Sequence, residues 1–155
     1  MSAKEKPAIA VSACLLGQRC RYDGEKRESE AAIELGKNFR LVPVCPEVFG
    51  GLPVPREPAE ILGDHVVTRS GKDVTVAYRK GAERTMEQIR REGCVAALLK
   101  EKSPSCGKGL VHNGLFDGGT VPGNGIAAAL LLENGIPVFG ETETEALKAY
   151  LKGQV

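Results

Sequence analysis

Five cysteines punctuate the sequence, at positions 14, 20, 45, 94 and 106, and three of them share a context. Cys14 comes just after the apolar run Ala8–Ala13, Cys45 after Leu41–Val44, and Cys106 seven residues past the end of Val95–Leu99. Structural zinc usually takes four ligands with closely paired cysteines, but no CxxC pair is present, and His65 and His112 lie in segments that need not approach the cysteines. Three soft thiolates can instead hold a 4Fe-4S cluster with one iron left without a protein ligand, a Lewis acid able to accept sulfur. The flanking residues extend this chemistry. Glu47 follows Cys45 in CPEVFGG, and Lys102, Ser103 and Ser105 precede Cys106 in KEKSPSCG. A carboxylate and a hydroxyl beside a metal centre suit deprotonation of water or proton delivery to a ring nitrogen. Lys102 can favour the ionised form of a neighbouring acid or thiol, or fix an anionic oxygen. Two other functions use the same residues: non-catalytic metal or cluster binding, and sulfur carriage with Cys106 as nucleophile. The plainest alternative makes the cysteines small buried apolar residues, the charges solvated and the serines turn formers.

The elements that must bring these residues together follow from the hydrophobic pattern. Ala8–Ala13, Leu41–Val44, Val95–Leu99 and Val138–Phe139 have the length and composition of buried strands. Helices are predicted over Glu28–Leu35, ahead of Gly36, and through Tyr78, Ala82, Met86 and Ile89, ahead of Gly93. A third covers Ile126–Leu132, with Asn124 as its cap and Gly135 and Pro137 as its stop, and a fourth follows a Thr142/Glu145 capping box. Strands alternating with helices give an α/β fold: a single three-layer Rossmann-like domain over residues 1–155, with a mainly parallel sheet and a frayed tail at residues 1–7. Parallel strands gather their carboxyl ends along one edge, where ligands bind, so Cys14, Cys45 and Cys106 are expected to converge there. Val48–Ile61, with Pro53, Pro55 and Pro58, is expected to be an extended loop. His65–Thr68 and Asp73–Val76 form a candidate hairpin, the second arm running into a helix, and Asn113-Gly114 a small hairpin insertion.

Composition narrows the partners. A chain of 155 residues buries roughly 70% of its unfolded surface and needs no disulfide scaffold. The odd, dispersed cysteines point to a reducing cytoplasm. With 21 basic against 20 acidic side chains the net charge is +1, too little to attract polyanions, so no stable nucleic-acid binding is expected. No apolar run approaches the ~20 residues of a membrane span. Val11-Ser12-Ala13-Cys14 behind Lys4 and Lys6 imitates a lipoprotein signal, but the apolar stretch before Cys14 is too short and contains Ser12. His112 can hydrogen-bond a substrate but is expected to be an exposed hairpin residue, His65 is expected to be a half-buried strand residue, and Gly118–Gly125, whose glycines could present N–H groups to an anion, is expected to be a connecting loop. Arg56 and Glu57 lock the proline-rich loop and carry no assigned chemistry.

The segments SACLLG with CRYDG at Ser12–Gly24, CPEVFGGLPVPREPAEI at Cys45–Ile61, GKDVT at Gly71–Thr75 and LKEKSPSCG at Leu99–Gly107 resemble the TudS-type thiouracil desulfidases over nearly the whole chain. The resemblance implies a Rossmann-like domain carrying an oxygen-sensitive 4Fe-4S cluster on Cys14, Cys45 and Cys106, with Cys20 and Cys94 outside the ligand set. It implies that the thiocarbonyl sulfur of 2- or 4-thiouracil meets the unique iron, water attacks the carbon, and sulfur leaves as hydrosulfide without net electron transfer. Glu47 becomes the acid/base, Ser103 a proton-handling partner and Lys102 an auxiliary group. Two segments depart from the family pattern: Val111-His112-Asn113-Gly114 replaces a more usual Ile-Tyr-Asp-Gly, and Asn124-Gly125-Ile126 a threonine-bearing helix start. Ring or nucleotide preference is expected to shift if either touches substrate. The further domain of fused relatives is absent from this sequence, which favours small thiolated pyrimidines, free bases or nucleotides, over intact tRNA.

Overall fold

The computed structural model describes residues 6–25 and 27–153, so the expected tail lies, for residues 1–5, outside the described residues. The elements in chain order are β1 Ala8–Ser12, α1 Glu30–Glu34, β2 Arg40–Val44, α2 Pro46–Phe49, β3 Ala59–Leu62, β4 His65–Thr68, α3 Thr75–Glu92, β5 Ala97–Leu99, β6 Leu110–His112, β7 Thr120–Pro122, α4 Ile126–Glu133, β8 Val138–Gly140 and α5 Thr144–Lys152. The central sheet is parallel with order β2-β1-β5-β8. Alternate residues of β1 explain the layers, because successive side chains of a strand point to opposite faces. Ala8 and Ala10 join Met86 and Ile89 of α3 with Ala128 and Leu131 of α4. Ile9 and Val11 join Ala32 of α1 with Leu147 and Leu151 of α5. The result is the expected three-layer α/β architecture. Pro43 is accommodated in β2 because that strand is an edge, where a missing N–H breaks no second ladder.

Chain order reverses around β1, which has β2 on one side and β5 on the other. This is the switch point at which the carboxyl ends of an open parallel sheet leave a crevice. Two glycines set the crevice wall on the α2 side. A Cβ at Gly81 of α3 would overlap the Pro46 carbonyl, and one at Gly50 would overlap that of Ala77. The backbones of α2 and α3 therefore touch without intervening side chains.

The region between the second strand and the long helix differs from expectation. Pro46 at the first helical position nucleates the four-residue α2 where an extended segment was expected. The hairpin pairs β4 with β3, through Gly63-Asp64, and not with Asp73–Val76. Asp73 makes one isolated bridge with Val67, and its carboxylate accepts from the N–H of Thr75, the first residue of α3. In the second hairpin β6 pairs with β7, so Asn113-Gly114 lies within a longer connection rather than forming a two-residue turn. Glu60 joins the two hairpins, its Oε1 accepting from the N–H groups of Gly114 at 2.9 Å and Phe116 at 3.1 Å. Neither expected cap forms. Asn124 Oδ1 accepts from Gly109 N–H at 2.8 Å, and Thr142 donates to Glu101.

Candidate functional site

Three strand ends open on a cavity of about 400 Å³ lined by Cys14, Cys45, Cys106, Glu47, Lys102 and Ser103 among others. All six residues predicted from sequence therefore share one site. Cys14 is carried by the 3-10 turn Ala13–Leu16, which begins directly where β1 ends and closes at the left-handed Gly17. Cys45 is the N-cap residue of α2, so the strand-to-helix transition that Pro46 imposes places it and Glu47 on the crevice. Cys106 lies in a turn fastened from two sides. Its own N–H donates to Ser103 Oγ at 2.7 Å, and the first N–H groups of α4, those of Ile126 and Ala127, donate to the carbonyls of Pro104 and Ser105. Those helix donors would otherwise lack partners. A Cβ at Gly125 would come within 2.5 Å of the Ser105 backbone, so glycine is what lets α4 start this close. Ser12 Oγ accepts from Lys100 N–H at 2.8 Å, tying the end of β1 to the chain just beyond β5.

Glu47 is held by side chains from two segments, the proline-rich loop and the turn that carries Cys106. Its Oε1 accepts from Arg56 at 2.9 Å and its Oε2 from the Ser105 hydroxyl at 2.9 Å. Ser105 Oγ lies 3.3 Å from Ser103 Oγ, so a chain of hydroxyls leads from the carboxylate towards the half-buried Ser103. Arg56 also donates to the carbonyls of Cys20 and Pro53, both at 2.9 Å. The arginine locks the proline-rich loop, as expected, and in addition clamps Glu47. Tyr78 lines the same wall; burial, then the nearby Glu47 carboxylate, pushes its phenol above the ordinary range. Its helical spacing with Ala82, Met86 and Ile89 disguised it as core alone.

The thiols form no disulfide. Burial pushes the Cys106 thiol up to about 12, and contact with Cys20, followed by burial, raises that of Cys45. Contact with Cys14, chiefly, raises Cys20, whose position between Cys14 and Cys45 makes it a fourth thiol of the cavity. Cys94 is buried in the hydrophobic core and is not among the residues lining the cavity. Among the described residues no three His, Cys, Asp or Glu side chains are placed to hold a metal ion. Thiols spread around a cavity suit a polynuclear iron-sulfur core, whose ligands sit at separate corners, better than one tetrahedral ion. The donor set, soft sulfur alone, fits that group.

His112, expected to be exposed, is instead half-buried and lines the cavity, as do Phe116 and Arg69. Lys102 adopts a φ of 69°, and its carbonyl accepts from His112 N–H at 3.3 Å. Through Lys102 the hairpin wall is joined to the cysteine-bearing turn.

Fold and site together define an α/β protein with a thiol-lined crevice at the switch point of its sheet. The sequence model of the 2-thiouracil desulfurase family matches residues 9–143, and the chain belongs to that family. YbbK of Bacillus subtilis (strain 168), an uncharacterized protein, is 43% identical over 145 residues, covering 87% of this chain and 96% of its own. The solved structure of the 4Fe-4S-dependent thiouracil desulfidase TudS matches with a TM-score of 0.88 and 49% identity, over 96% of this chain and 99% of that one. Among the described residues no helix is long and apolar enough to cross a membrane.

Proposed function

We propose that residues 1–155 act as one cluster-binding domain, a desulfurase that hydrolyses thiouracil-type bases or nucleotides to their oxygen counterparts and hydrosulfide. The observation that carries this reading is the opening of Cys14, Cys45 and Cys106, from three strand ends, on one cavity beside Glu47. These three cysteines would hold a 4Fe-4S cluster. When bound, the cluster supplies one iron with an open position, a soft Lewis acid that prefers thiocarbonyl sulfur to carbonyl oxygen.

The chain's own residues do the rest. Glu47 accepts a proton from the attacking water, and Arg56 and Ser105 fix its two oxygens for that task. The hydroxyls of Ser105 and Ser103 pass the proton to the ring, and Lys102 holds developing negative charge on the substrate oxygen. The reaction is thiocarbonyl plus water giving carbonyl plus hydrogen sulfide, balanced without an electron donor. The cavity has the size of a small-molecule site, which suits a base or nucleotide rather than a folded nucleic acid. Free thiols throughout the described chain suit a reducing cytoplasm.

Anaerobic reconstitution followed by a sulfide-release assay with 2- and 4-thiouracil tests the proposal. Iron-loaded protein is expected to release sulfide and uracil in equal amounts, and iron-free protein neither. Equal activity without iron identifies a sulfur carrier instead. Glu47→Gln is expected to keep its iron and lose about 10²- to 10⁴-fold in turnover.

A further inference from the structure

The hairpin wall contains the one buried side-chain nitrogen or oxygen without a hydrogen-bond partner among the described residues, Nδ1 of His112. Its ring is fixed from behind. The His112 N–H is bonded to Lys102, Val111 bridges Lys102, and Glu60 anchors the following residues Gly114 and Phe116. A hydrogen on the sealed Nδ1 would be a buried donor with no acceptor, the kind of orphaned N–H that folded proteins rarely keep. With its hydrogen on Nε2 the ring leaves only an under-satisfied acceptor at Nδ1, the more commonly tolerated case, and no hydrogen bond joins Nε2 to a protein group among the described residues. His112 thus offers an N–H donor to the cavity that it lines together with the cysteines.

From this placement we infer that His112 is a specificity-determining residue: its Nε2–H donates to the second exocyclic oxygen of the substrate ring and so selects uracil-type over cytosine-type thiopyrimidines. The inference rests on the desulfurase reading for the orientation of the ring. A thiouracil with its sulfur toward the cysteines carries its other exocyclic atom on the far side of the ring. In 2-thiouracil that atom is a carbonyl oxygen, which accepts from Nε2–H. In 2-thiocytosine it is an amino group, which places donor against donor. The contact is remote from the carbon that loses sulfur, so it contributes to ground state and transition state alike and belongs to KM rather than kcat.

The test compares wild type, His112→Phe and His112→Gln in the iron-loaded protein, with 2-thiouracil and 2-thiocytosine as substrates. Calorimetric binding of uracil and cytosine to the same proteins reads the contact without turnover. Loss of one neutral hydrogen bond predicts that His112→Phe raises KM for 2-thiouracil and weakens uracil binding by about 2- to 12-fold. Its kcat, iron content and cytosine-type ligands are expected to change little. Gln, whose amide offers a donor or an acceptor, is expected to restore uracil binding and to admit cytosine as well. An equal loss for both ring types, or wild-type binding of cytosine as tight as of uracil, overturns the inference. If no thiopyrimidine is turned over yet uracil binding shows the predicted dependence on His112, the desulfurase reading has failed and this one has not.

Discussion

Replacing Arg56 with Met tests whether Glu47 is held by a buried charge clamp. The Arg56 side chain is 8% exposed and that of Glu47 13%, and the guanidinium spans Glu47, Cys20 and Pro53. Met keeps much of the aliphatic bulk and removes the charge, leaving the carboxylate with the Ser105 hydroxyl and the nearby Tyr78 phenol. Breaking a buried pair by removing one partner costs about 3 to 5 kcal/mol. Glu47 retains one strong donor and Pro53 lies at the surface, so the lower end, about 3 kcal/mol, is expected. For a domain of this length that lowers Tm by about 6 to 12 °C, at 2 to 4 °C per kcal/mol. Circular-dichroism melts of reduced, iron-free protein measure it. Arg56→Met/Glu47→Leu is expected to recover most of the loss, because an apolar replacement of both partners is often nearly neutral. A drop below about 3 °C in the single variant, or a double variant no more stable than the single, refutes the clamp.

Three further outcomes are expected. Gly81→Ala forces α3 away from α2, with a loss of about 1 to 3 kcal/mol by overpacking and a matching fall in iron uptake, because the displaced segment carries Cys45 and Glu47; an unchanged melt contradicts the close approach. Ser103→Ala and Ser105→Ala should each slow turnover while keeping iron, and the double variant should be little slower than either, since both belong to one hydroxyl chain; full rate in Ser105→Ala removes the relay. Burial lifts the Cys94 thiol up to about 11, so its protonated form stabilises the fold fully below the ordinary value near 9, and that contribution is lost as pH rises through about 11. Urea unfolding between pH 9 and 11 should therefore show wild type losing up to about 2 to 3 kcal/mol more than Cys94→Val, whereas parallel profiles mean that the thiol is not desolvated.

What the sequence made legible was whatever rests on local hydrophobic pattern. The runs at Ala8, Leu41, Val95 and Val138 became the four parallel strands, and the spacing of Tyr78, Ala82, Met86 and Ile89 became α3. Strand ends carrying cysteines then located the crevice, because parallel topology fixes where such ends lie. Features set by contacts between distant segments were hidden. Pro46 opens a helix only four residues long, and β3 follows Pro58 immediately, so neither is long enough to show a period. Asn124 and Thr142 have the right types for caps, yet stronger partners, Gly109 N–H and the Glu101 carboxylate, capture their side chains. Arg56 looks like any loop cation until the chain returns it to Glu47. His112 looks like a hairpin surface residue until Glu60 draws the two hairpins over the crevice. Cys20, expected outside the ligand set, proves to share the cavity, which makes the identity of the ligands a matter for direct measurement.

That measurement is the iron content per chain of anaerobically prepared wild type and of five single variants: Cys14→Ala, Cys45→Ala, Cys106→Ala, Cys20→Ala and Cys94→Ser. About four irons are expected in wild type and in the Cys20 and Cys94 variants, with none retained after loss of Cys14, Cys45 or Cys106. Iron that survives removal of any of these three, or disappears with Cys20, contradicts the assignment on which the chemistry depends.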